Sequence, residues 1–297
     1  MIYESIYGSF NSNDEVKQNI KSYIRRENLL NSTEYTINDD LSIDVNGGLY
    51  LRNLNWTGRI PIKFGKIEGN VNIEGCNNLT NLKGFPTYVK GDIKINFNSK
   101  LESLEGCLIK ETNGEFDCSK NKLTSLEFSP EKVNGKFDCS KNELTSLEGG
   151  PNVTKGMLCG YNELTNLIGS PEECLTLGLS GNKLTSLEGI PKKVNSIIMD
   201  SPYLYSIDYF PENYRDGGRF VVKNGPLSLI YNESNGVFGS VMGDYKMETA
   251  RLMCSFRMFV KGTNKIKLKN LKYFYHYLNE ELTERNLNMI KISYEIV

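Results

Sequence analysis

The phrase FDCSKN-x-LTSLE is written twice in this chain, starting at Phe116 and again at Phe137. Aligned on the Leu of N-x-L, the pattern extends to Leu79, Leu101, Leu123, Leu144, Leu164, Leu184 and Leu204, with separations of 22, 22, 21, 20, 20 and 20 residues. A second apolar anchor follows each, at Leu82, Leu104, Leu126, Leu147, Leu167, Leu187 and Ile207. Trp56 and Ile60 are expected to fill the same two roles in an irregular first copy. A fixed period of this length means stacked turns of chain, each too small to bury its own apolar face.

Before each turn lies an apolar-x-apolar triplet: Val71/Ile73, Ile93/Ile95, Phe116/Cys118, Phe137/Cys139, Met157/Cys159, Leu177/Leu179 and Ile197/Met199. That alternation predicts a short strand with one face inward, and stacking predicts a parallel sheet. Asn121, Asn142, Asn162 and Asn182 stand where the chain leaves the strand. Their amides offer donors and acceptors for backbone groups left unpaired at the bend, so they are expected to form a structural ladder. Pro recurs after the second anchor, at Pro86, Pro130, Pro151, Pro171, Pro191 and Pro211. With the neighbouring glycines, it predicts an extended or polyproline-like return.

The motif F/M-x-C-x-x-N-x-L-T-x-L resembles that of leucine-rich repeats, L-x-L-x-x-N-x-L, over about 170 of 297 residues. Its period of about 20 resembles the short-repeat bacterial effector type, but the usual L-P-x-L-P return is here E-G-x-P, as in Glu148-Gly149-Gly150-Pro151. The wording NKLTSLEG-x-P is more similar to leucine-rich-repeat proteins of large tailed bacteriophages. The resemblance implies an α/β repeat solenoid, a horseshoe with a parallel concave sheet. It also implies a phage or bacterial origin.

Three regions are expected. Residues 1–44 read as an N-terminal cap: Ser12-Asn13-Asp14-Glu15 is a capping box, Val16, Ile20, Tyr23 and Ile24 share a helical face, and YTINDDLSIDVNGGLYL reads as strands and turns. Residues 45–214 hold the repeats, about eight copies. Residues 215–297 read as a mainly helical C-terminal cap or small domain, with helix-forming stretches at 244–260 and 266–285 separated at Gly262-Thr263-Asn264, and SYEIV as a final strand or frayed end. The regions differ in charge. Residues 215–297 hold 13 Lys/Arg against 8 Asp/Glu, whereas the whole chain has net charge −1. That near-neutral total argues against whole-protein attraction to nucleic acid or an anionic membrane.

MIYESIYGSF has neither the basic nor the apolar part of a secretory signal, and no apolar run reaches membrane-span length. The seven Cys follow the repeat rather than a disulfide framework. The expected setting is therefore the cytoplasm of a bacterial or phage-infected cell. Cys118, Cys139 and Cys159 form a column of like-pointing side chains, expected to act as small core hydrophobes rather than metal ligands. The single His, His276, and Cys254 form the one conceivable nucleophile pair, without a third orienting residue. The Cys-x-Asp motif of the ubiquitin ligases that follow some effector repeats is missing from 215–297. No catalytic residue, metal or cofactor is expected. The basic stretch Lys261, Lys265, Lys267, Lys269 and Lys272 runs into Tyr273, Phe274, Tyr275 and Tyr277, of which several must pack inward.

The outward strand positions vary where the scaffold repeats: Asn72, Lys94, Asp117, Asp138, Leu158, Gly178 and Ile198, then Glu74, Asn96, Ser119, Ser140, Gly160, Ser180 and Asp200. A concave protein-binding face is expected there, carried by Lys94, Asp117, Asp138, Leu158, Tyr161, Ile198 and Asp200. The expected partner is a protein, for a phage product a host defence factor. A structural component held through the tail, or an enzyme hidden in 215–297, are the alternatives.

Overall fold

The computed structural model describes residues 2–8, 12–30, 34–200, 202–211, 219–223, 257–260, 263–277 and 281–297. The chain forms a parallel-strand β-solenoid of about seven turns with few helices. It divides into two compact units, Met1–Leu144 with Glu148–Lys155, and Thr145–Leu147 with Gly156–Val297.

The first unit opens with two helices, α1 (Ile2–Tyr7) and α2 (Asn13–Arg26). Ser12 caps α2, its hydroxyl accepting the Glu15 N–H at 3.3 Å, and Val16, Ile20, Tyr23 and Ile24 are buried. The Trp56 indole donates to the Tyr23 hydroxyl at 2.6 Å, so α2 seats on the first repeat through a buried polar contact. Trp56 and Ile60 are both buried, but Gly58 rather than Trp56 is bridged to Leu79.

Then come β1 (Tyr35–Ile37), β2 (Ile43–Val45), β3 (Leu49–Arg52), β4 (Phe64–Ile67), β5 (Val71–Glu74), β6 (Tyr88–Val89), β7 (Ile93–Asn96), β8 (Glu111–Thr112), β9 (Phe116–Asp117) and β10 (Lys132–Asp138). The repeat strands stack in parallel in the order β3, β5, β7, β9, β10. Every apolar triplet residue from Val71 to Cys139 is at most 1% exposed. The rings of Phe116 and Phe137 stack at 5.7 Å.

The return takes the extended rather than the polyproline-like form of the path that Pro and Gly suggested. It is a second hydrogen-bonded ladder, in which β4 pairs in parallel with β2 and β6, and β8 with the start of β10. The cause is one small or β-branched residue per turn: Val45, Ile67, Val89, Thr112, Val133 and Thr154 are all buried. Such residues favour a pleated, half-buried surface, and pairing satisfies backbone groups that a polyproline helix leaves to water.

The second unit repeats this plan. The strand β11 (Val153–Leu158), in which the boundary falls, pairs in parallel with β12 (Glu173–Gly178), β12 with β13 (Lys193–Asp200), and β13 with β14 (Arg219–Lys223). Cys174 and Val194 continue the return ladder, register neighbours in β12 and β13. In the tail, Phe259 bridges Ile266 and β15 (Lys265–Ile266) pairs with β16 (Glu295–Ile296), so SYEIV ends as a strand. Between them lie α3 (Leu268–Tyr277) and α4 (Glu284–Ile290). The expected helix over 244–260 lies outside the described residues except 257–260, which are not helical. Phe274 and Tyr275 are buried while Tyr273 is 52% exposed, dividing the aromatic run between core and surface.

After each second anchor the backbone turns left-handed. Gly84, Gly106 and Gly149 in the first unit, and Gly169 and Gly189 in the second, take φ between 79° and 101° there. A Cβ at Gly106 would lie 2.4 Å from the Lys83 nitrogen, and one at Gly189 2.4 Å from that of Ile168. Two turns put an aromatic at this position instead, Phe128 (φ 68°) and Tyr209 (φ 72°).

Candidate functional site

The buried Asn side chains hold the strand-to-turn corner. In the first unit the Asn121 amide donates to Ile95 O at 2.7 Å and Cys118 O at 2.8 Å, while its Oδ1 accepts the Asn98 N–H. Asn142 donates to Cys118 O and Cys139 O, both at 3.0 Å, and accepts from Leu123 N. In the second unit Asn162 donates to Cys159 O at 3.1 Å. Asn182 donates to Leu179 O and Cys159 O and accepts from Leu164 N. Asn98, fully buried, does the same work, reaching Ile73 O and accepting from Cys76 N. It precedes its Leu by three residues rather than two, so the fixed N-x-L offset did not find it.

Burial raises the Cys118 thiol well above its ordinary range, with Asp117 and Asp138 adding to the shift. Cys118 therefore sits in the core as a neutral thiol, a poor nucleophile. Cys139 and Cys159 are likewise fully buried. His276 is exposed, and Cys254 lies outside the described residues. Among the described residues no group of three His, Cys, Asp or Glu side chains is placed to hold a metal ion. None of the helices described is long and apolar enough to cross a membrane.

The outward face of the first unit is a column set by strand register: Tyr50, Asn72, Lys94, Asp117, Asp138. Tyr50 is 55% exposed, with the Arg52 guanidinium 5.9 Å from its ring centroid. Lys94 is exposed. Asp117 is less available than expected, because Oδ2 accepts from the Asn96 amide at 2.8 Å and Oδ1 from the Ser119 N–H at 2.9 Å. Asp138 Oδ1 accepts from both the N–H and hydroxyl of Ser140. These two acids therefore shape the turn as well as the surface. Asn72 Oδ1 is buried, with no hydrogen-bond partner among the described residues. An unpaired buried acceptor costs about 1–3 kcal/mol, so the column contains a group that a bound donor would satisfy.

In the second unit the corresponding column is Leu158, Gly178 and Ile198. Leu158 and Ile198 are half-buried rather than open. The structure therefore brings Lys94, Asp117 and Asp138 together in one unit, and sets Leu158 and Ile198 on either side of Gly178 in the other. Asp200 ends β13 beside Lys223. Tyr161 lies past the strand end at φ 57°, 60% exposed, in the turn rather than the strand column.

The sequence reading missed Tyr50, the N-terminal member of the column. It also missed Phe97 and Lys120, which take φ 57° in the turn, with the Lys120 ammonium 4.0 Å from the Phe97 ring centroid. Tyr50 was legible as the x of the Leu49-x-Leu51 triplet, whereas the left-handed turn positions carry no fixed residue type. Comparison of the chain with protein-family models, curated proteins and solved structures finds no match to any of them.

Proposed function

We propose that this chain is a non-enzymatic binding module of the leucine-rich-repeat kind, with the outward strand face as the concave surface of a horseshoe. Its ligand on this reading is a protein. For a phage or bacterial product acting in the cytoplasm, a host defence factor is the target class. The observation that carries the reading is the contrast within β5, β7 and β10. Inward positions stay apolar and buried while the outward column changes from Asn72 to Lys94 to Asp138. A scaffold that repeats inside and varies outside presents information on that face.

The test uses Tyr50→Ala/Lys94→Glu, because these side chains hold no turn, unlike Asp117 and Asp138. Wild type and variant are used to capture proteins from bacterial lysate, and both are checked for the same circular-dichroism spectrum. A protein captured by wild type and lost by the variant supports the reading. Equal capture by both moves binding away from this face.

A further inference from the structure

The second unit contains a groove of about 800 Å³ between its last described repeat turn and the C-terminal tail. One wall comes from Tyr203, Tyr205, Ser206, Asp208 and Tyr209, and the other from Thr263 to Lys265. The two are fastened together: the Tyr294 hydroxyl donates to Tyr205 O at 2.9 Å, and the two rings meet edge to face at 5.7 Å. The groove is therefore bounded by packed side chains on both sides.

Three features of this groove point to one ligand chemistry. Asp208 Oδ2 is buried and has no hydrogen-bond partner among the described residues. A carboxylate oxygen removed from water without a donor is a costly arrangement, and positive charge held in the groove that Asp208 lines would offset it. Tyr203, Tyr205 and Tyr209 line the same groove as that acid. Tyr203 is 50% and Tyr209 46% exposed, so their faces are accessible. Tyr209 also stands at a left-handed position, φ 72°, that Gly169 and Gly189 occupy in the neighbouring turns of this unit. A bulky residue at such a φ is strained and persists where something else requires it.

The remaining charges favour the same sign. Glu188 is a second carboxylate in the lining. Among the described lining residues the one cation is Lys265, whose ammonium lies 2.9 Å from Glu295 Oε1 and is thereby neutralised locally. Aromatic faces around a carboxylate attract cations, most strongly those with weakly held hydration shells.

We propose that this groove binds an alkylammonium group, held by ion pairing to Asp208 and by the ring faces of Tyr203 and Tyr209. The chemistry is shared by a small free amine and by a lysine or methyl-lysine side chain of a partner. The inference does not depend on the outward strand face.

The test is calorimetric titration of the full chain with choline, with a trimethyllysine tripeptide, and with dimethylbutanol as the neutral counterpart of choline. Either cation should bind saturably while dimethylbutanol binds at least about tenfold more weakly, equivalent to about 1.4 kcal/mol. Tighter binding of the peptide assigns the site to a partner's side chain, and tighter binding of choline to a free amine. Asp208→Asn should weaken either by about tenfold or more. Tyr209→Gly should do the same without loss of thermal stability, because Gly suits the left-handed turn. No saturable binding of either cation up to about 10 mM, well above ordinary ligand affinities, overturns the proposal. So does equal binding of the neutral alcohol, or binding that survives both substitutions.

Discussion

The two units use one plan and finish it differently. In β9 and β10 the inward residues include stacked Phe116 and Phe137, and the outward ones are acids tied to Asn96, Ser119 and Ser140. In β11 to β13 the inward residues are Met157, Leu177 and Ile197, and the outward column of Leu158, Gly178 and Ile198 is small or apolar. The turn chemistry hardly changes, since Asn142 and Asn182 each donate to a carbonyl of their own turn and to one of the preceding turn. The backbone plan is thus held by the buried amides and the anchors, leaving the inward strand residues free to change in size while staying apolar, and the outward ones free to change in chemistry.

Core truncation should separate the units most. Phe137→Ala removes half of an aromatic stack in a site with no exposure and should cost about 4 kcal/mol. Leu177→Ala, equally buried, should cost about 3 kcal/mol. Urea unfolding measures both, and equal losses would show that the stack adds nothing beyond area. Next come the buried amides. Asn142→Leu and Asn182→Leu should each cost about 3 kcal/mol, because each strands two carbonyls and one N–H. A loss confined to one unit would break the claim of a common corner.

The left-handed positions should respond in opposite directions. Gly189→Ala puts a Cβ 2.4 Å from the Ile168 nitrogen and should destabilise by about 2 kcal/mol. Phe128→Gly relieves strain at φ 68° and should stabilise by up to about 1 kcal/mol. A stabilising Gly189→Ala in thermal melts would refute the steric argument.

The smallest effect is a pH dependence. Burial pushes the Cys107 thiol up to about 11 and the Cys174 thiol up to about 12, from an ordinary 9.0. The unfolded chain then loses these protons first, so their contribution is intact below pH 9.0 and falls as pH rises through the folded values. Comparing stability at neutral and alkaline pH, Cys107→Ala/Cys174→Ala should show a shallower decline than wild type.

The inward anchors were legible because stacking turns a spacing along the chain into a contact between neighbouring turns. Leu79 to Leu204 are all fully buried, as their period requires. The return ladder was not legible, because its residue type changes from Val45 through Thr112 to Cys174 and its spacing slips relative to the anchors. The candidate face was legible by position in Lys94, Asp117 and Asp138. Its chemistry was not, because the bonds that hold Asp117 depend on where Asn96 and Ser119 point.

By itself the sequence determined the stacking of turns, the inward columns and the corner amides, since each depends on a pattern repeated by the chain and on contacts between adjacent copies. Only the tertiary structure decided the hydrogen-bonded return, the burial of an Asn72 and an Asp208 oxygen without a partner among the described residues, and the meeting of the tail with Tyr205. These depend on side-chain direction and on contacts between segments unrelated by the repeat, which periodicity does not encode.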